Sequence, residues 1–78
     1  METVNEIDIE EHIILNLTML FIDHDDFIIN TRTVKQGGKI VSVTAYALGN
    51  NLIPVARATA ATTEEALKEL LRATSAAL

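Results

Sequence analysis

From Ile13 to Ala61 the chain alternates apolar and polar positions with a period near two. That pattern predicts half-buried strands. Ile13, Leu15, Leu17, Met19 and Phe21 form one apolar row, with a mixed row of Ile14, Asn16, Thr18, Leu20 and Ile22 between them. This segment is read as strand one. Asp23-His24-Asp25-Asp26 is a polar turn, Phe27–Val34 a second strand, and Lys35-Gln36-Gly37-Gly38-Lys39 a turn whose glycines permit positive φ. Ile40–Leu48 is the strongest strand. After Gly49-Asn50-Asn51, Leu52–Ala61 is the fourth, and Pro54 in it marks a sheet edge or bulge. The acidic residues 1–11 read as a frayed tail, or as an extension of strand one through Ile7 and Ile9. A helix over Asp8–Phe21, begun by Asp8 and Glu11, competes with that strand.

The C-terminus changes period. Thr62 with Glu65 three residues later has the form of a capping box. Ala66, Leu67, Leu70, Leu71, Thr74 and Leu78 then recur at helical spacing, which predicts a helix over about 63–77. The expected fold is α+β: a four-stranded antiparallel meander with one C-terminal helix on one face, ββββα, in a single domain over 1–78. The helix should cover Val41, Val43, Ala45 and Ala47, with Ala56, Ala58 and Ala60 alongside. Parity then places Asn16, Thr18, Asn30, Arg32, Ser42, Thr44, Tyr46, Arg57 and Thr59 on the open face. Ile14, Leu20, Ile22, Ile28, Val34, Ile40 and Leu48 form its apolar rim.

Composition narrows the chemistry. Seventy-eight residues make one small domain with a thin margin of stability, so a second copy is an expected source of additional core. No cysteine is present, which excludes disulfides and thiolate metal sites. The longest apolar stretch is too short and too interrupted for a membrane span. An acidic start without a basic region is unlike a secretory signal, and a cytoplasmic setting is expected.

The net charge of −5 is unevenly distributed. Residues 1–26 hold eight acids and no Lys or Arg, whereas between Phe27 and Thr63 there are four bases (Arg32, Lys35, Lys39, Arg57) and no acid. The simplest expectation is that these halves neutralise each other within the fold or across an oligomer.

Sites for catalysis are hard to assemble from these residues. Asp23-His24-Asp25-Asp26 lacks calcium-loop spacing, and consecutive side chains diverge. His12 and His24, at opposite ends of a straight strand, would lie on the order of 40 Å apart. Ser42 and Ser75 sit in no nucleophile sequence, and Gly37-Gly38-Lys39 lacks the spacing of a phosphate loop. No metal, no cofactor and no enzymatic activity are expected. The last two strands and helix resemble the tail of a double-stranded-RNA-binding domain over about half the chain. However, Thr62-Thr63-Glu64-Glu65-Ala66-Leu67-Lys68 places acids where that family carries a lysine cluster, so its function is not carried over.

The functional expectation is a noncatalytic protein-binding module that is a homodimer, of the kind phages and mobile elements use as inhibitors. Its acidic residues Glu10, Glu11, Asp23, Asp25 and Asp26 would occupy a basic groove on a protein target. Asn30, Arg32, Thr44, Tyr46 and Arg57 on the sheet face form a second candidate surface. Through them a weak single-stranded nucleic-acid binder is the alternative. A purely structural oligomer subunit is the other.

Overall fold

The computed structural model of the chain describes residues 6–78. Helix α1 (Glu6–Leu20) leads into β1 (Ile28–Gln36) and β2 (Lys39–Leu48). A single 3₁₀ turn (Asn50–Leu52) joins β2 to β3 (Pro54–Ala60), and α2 (Thr63–Ala76) closes the fold. The strands form an antiparallel sheet in the order β1-β2-β3. Helix α2 lies over β2 and β3, and α1 packs on α2. The molecule is flat, measuring 42 × 35 × 19 Å, as one helical layer on one sheet requires.

Among the described residues the architecture therefore has three strands and two helices, not four strands and one helix. The segment expected as strand one is α1. Its buried residues Ile9, Ile13 and Leu17 recur every four positions, while Leu15 and Met19, also four apart, are 61% and 60% exposed. Two helical stripes offset by two residues reproduce a period of two, so the alternation came from a helix that is apolar on opposite sides. Leu and Met favour helix over strand, and Asp8 in the first turn suits the positive end of the helix dipole. The row Ile13–Phe21 is thereby split between the core and the surface. Residues 6–11, expected as tail or strand, belong to α1, and residues 1–5 lie outside the described residues.

The core is the meeting of Ile9, Ile13 and Leu17 from α1, Val43, Ala45 and Ala47 from β2, and Ala66, Leu67 and Leu70 from α2. Ala56, Ala58 and Ala60 of β3 pack against it, and small side chains there let α2 approach closely. Helix α2 starts where Thr62 Oγ1 accepts the Glu65 amide at 3.2 Å and donates to the Glu65 carboxylate at 3.0 Å. Between the helices Asn16 is buried, its Nδ2 donating to Thr74 Oγ1 (3.1 Å) and Ser75 Oγ (2.9 Å). Asn16 was expected on the open sheet face, as was Thr18, which is exposed on α1 and bonds the Ile14 carbonyl. Ile14, Leu20 and Ile22 likewise belong to α1 and its C-terminal exit, not to a sheet rim.

The sheet has two unlike ends. At one, Gly37 and Gly38 take φ of +59° and +77° and form a two-residue hairpin. Pairing of β3 begins only at Val43↔Ala60, so Lys39–Ser42 pair with β1 alone. This two-stranded arm stands beyond the helices, and every residue from Asn30 to Val41 is exposed. Val41, expected under a helix, lies in that arm. The other end gathers the α1–β1 and β2–β3 connections.

Candidate functional site

The connection end is built by one cross-loop lock. The Asn50 amide donates to His24 Nδ1 at 2.7 Å, so the ring carries its hydrogen on Nε2. Asn50 Oδ1 in return accepts the backbone amides of Asp25 and Asp26, each at 3.0 Å. His24 stands between Phe21 and Phe27, with ring centroids 6.3 and 6.0 Å away. Gly49 is buried beneath the imidazole, and a β-carbon there would overlap the ring. With its backbone held this way, Asp23-His24-Asp25-Asp26 is a pinned helix-to-strand connection and not a hairpin turn.

Pinning leaves an acidic and apolar surface. Asp25 and Asp26 line an open cleft of about 410 Å³ with Ile28, Gly49, Asn50, Asn51 and Leu52. Asn51 and Leu52 both adopt left-handed φ, 59° and 60°. Asn tolerates that region, whereas Leu does not take it readily and the conformation costs roughly 1–2 kcal/mol. In this conformation Leu52 is 62% exposed, next in sequence to exposed Ile53.

The five acids singled out from the sequence are not brought together. Glu10 and Glu11 lie near the middle of α1, while Asp23, Asp25 and Asp26 stand at the connection end. Nor do the two charge halves pair with each other within one copy among the described residues. Among the described residues the ion pairs are Glu64–Lys68 (3.7 Å) and Glu69–Arg72 (2.8 Å), both within α2. The hydrogen bond from Arg72, then its charge, holds the Glu69 carboxyl below its ordinary value and raises the guanidinium. That stabilisation is present above the unfolded carboxyl value and is lost as pH falls through the lowered one. The pair's contact with solvent keeps it small.

The sheet-face residues are assembled. Register places Asn30, Tyr46 and Arg57 in one cross-strand row, and Arg32, Thr44 and Thr59 in the next. Thr44 and Thr59 share a hydroxyl hydrogen bond of 2.8 Å. Tyr46 is half-buried, and with Pro54, Val55, Ala56 and Arg57 it lines a cleft of about 350 Å³. Residue types facing this side of β1 and β2 include no acid.

Among the described residues no three His, Asp or Glu side chains gather as metal ligands. His12 lies within α1 and His24 beyond its end, so no straight strand of the expected length, on the order of 40 Å, separates them. No helix among the described residues is long and apolar enough to cross a membrane. At the start of α2, Glu64 and Glu65 occupy the first turn and Lys68 pairs with Glu64, so the departure from the RNA-binding pattern holds in three dimensions.

Sequence reasoning missed the His24–Asn50 lock, which joins residues 26 positions apart. It also missed the exposed Leu52, although Asn50-Asn51 after Gly49 is the composition of left-handed backbone. Comparison of the chain with protein-family models, curated proteins and solved structures finds no match in any of the three.

Proposed function

We propose that this protein is a noncatalytic binding module whose connection end docks on a protein partner. The observation that supports this most is Leu52. A bulky side chain held in a strained backbone conformation and turned toward water is better explained by a partner than by folding. Ile53 next to it and Ile28 in the same cleft supply further apolar area, and Asp23, Asp25 and Asp26 have no ion-pair partner among the described residues. The complementary surface is an apolar pocket rimmed by Lys or Arg. Where the partner uses that basic rim to hold nucleic acid, docking excludes it, which is how a phage-type inhibitor of this size would act. Attraction of this kind weakens with salt.

The test immobilises the full chain beside a Leu52→Ser, Asp25→Lys, Asp26→Lys variant and compares the proteins each retains from a cell extract. The reading expects basic proteins held by the native chain, lost from the variant, and displaced by added DNA. Equal retention by both chains would overturn it.

A second reading rests on the row Asn30–Tyr46–Arg57 with Arg32 beside it. One stacking ring and two guanidinium groups without an ion-pair partner among the described residues suit a single nucleic-acid strand held weakly. Replacing Tyr46 by Ala would then cost on the order of 1–3 kcal/mol of oligonucleotide binding. Absence of any NMR shift on that face with oligonucleotide at low salt would remove it.

A further inference from the structure

Two surfaces of this chain are incomplete in complementary ways. The outer stripe of α1 presents Leu15 and Met19, four residues apart and both more than half exposed, with Asp8 and Glu11 on the same side a turn or two earlier. Residues 6–26 contain no Lys or Arg to balance those acids. A helix apolar on opposite sides ordinarily has cover on both. The β1–β2 arm is the reverse case. It exposes Val34, Ile40 and Val41, carries Lys35 and Lys39, and contains no acid. Two-stranded ribbons without further support are marginal in water.

We infer that a second copy of this chain supplies both covers. The outer stripe of α1 in one copy docks on the β1–β2 arm of the other, and the two-fold repeat of the same contact closes a dimer. Charge selects this pairing over the alternatives. Packing α1 on α1 would collect acids from both copies with no base between them. Packing open sheet face on open sheet face would bring Arg32 and Arg57 against their counterparts, and like charges across an interface are unfavourable. Of these three arrangements, the helix-to-arm one alone sets acids against lysines while burying apolar residues from both sides. The residues involved are separate from Leu52, Asp25 and Asp26, so this dimer stands or falls independently of the docking end.

The experiment is a charge exchange read by light scattering on the full chain, with circular dichroism confirming that each variant is folded. The native chain is expected to be dimeric at high micromolar concentration. Lys35→Glu with Lys39→Glu in one variant, and Asp8→Lys with Glu11→Lys in a second, should each weaken self-association by roughly tenfold or more. Mixing the two variants should restore dimers, because both contacts in the mixed pair then join opposite charges. A native chain that is monomeric throughout would overturn the inference. So would a dimer indifferent to both variants, or a mixture that stays monomeric. Open assemblies growing with concentration would overturn the closed two-fold.

Discussion

Asn16 shows how a single polar residue fixes the way two helices meet. Its amide donates to the hydroxyls of Thr74 and Ser75, and Thr74 Oγ1 also lies 2.9 Å from the Leu70 carbonyl. The Thr74 proton is thus committed to its own helix, so the position opposite can accept only a donor. Asn16→Asp should be the worst substitution here, since a buried charge would meet a Thr74 oxygen with no hydrogen left to offer and could be served by the Ser75 hydroxyl alone. Asn16→Leu should be tolerated better, because Thr74 keeps its carbonyl partner and nothing buried is left unpaired. Urea unfolding should place Asn16→Asp about 3 kcal/mol or more below the native chain, with Asn16→Leu within about 1–2 kcal/mol. Equal losses would show that the amide is filling space and not specifying register between α1 and α2.

At the scale of elements, the connection end depends on a close approach that only glycine permits. Gly49→Ala sets a methyl group against the His24 ring, which must move and give up the Asn50 amide. The expected loss is about 1–3 kcal/mol. In a His24→Ala background the same substitution should cost much less, and additive losses in that double-mutant cycle would exclude the clash as the cause. The same region marks how far the sequence could be read. Strands β1 to β3 and α2 fall on segments whose periods and turn residues announce them, and sheet parity placed Asn30, Arg32, Thr44, Tyr46 and Arg57 on one face as the register does. Helix α1 was misread because its second apolar stripe, Leu15 and Met19, filled the gaps of the first. Periodicity measures which positions are apolar, and it cannot distinguish those that face the core from those that face a partner. The His24–Asn50 lock had no local signature, since its two halves meet only after the sheet has formed.

Across the whole molecule, charge is separated and not cancelled. The aspartates of the connection end and the lysines of the arm lie at opposite ends of β2, roughly 30 Å apart at 3.3 Å per strand residue. That exceeds a Debye length at physiological salt, so within one copy they scarcely attract. Beyond the two exposed pairs of α2, what acts within a copy is repulsion among neighbouring acids, Asp8 with Glu11 and Asp23 with Asp25 and Asp26, and salt relieves it. Between copies, the proposed contact of α1 with the arm would be an attraction, and salt would weaken it. The sign of the salt effect on thermal stability should therefore depend on protein concentration. In dilute solution, where the chain is monomeric, raising NaCl to about 0.5 M should leave the Tm unchanged or raise it slightly. At high concentration, where the proposed dimer would contribute to stability by mass action, the same addition should lower the Tm. The Lys35→Glu, Lys39→Glu variant should behave at every concentration as the dilute native chain does. A Tm that falls with salt even in dilute solution would mean that the two charge halves support each other within one copy, contrary to the ion pairs confined to α2.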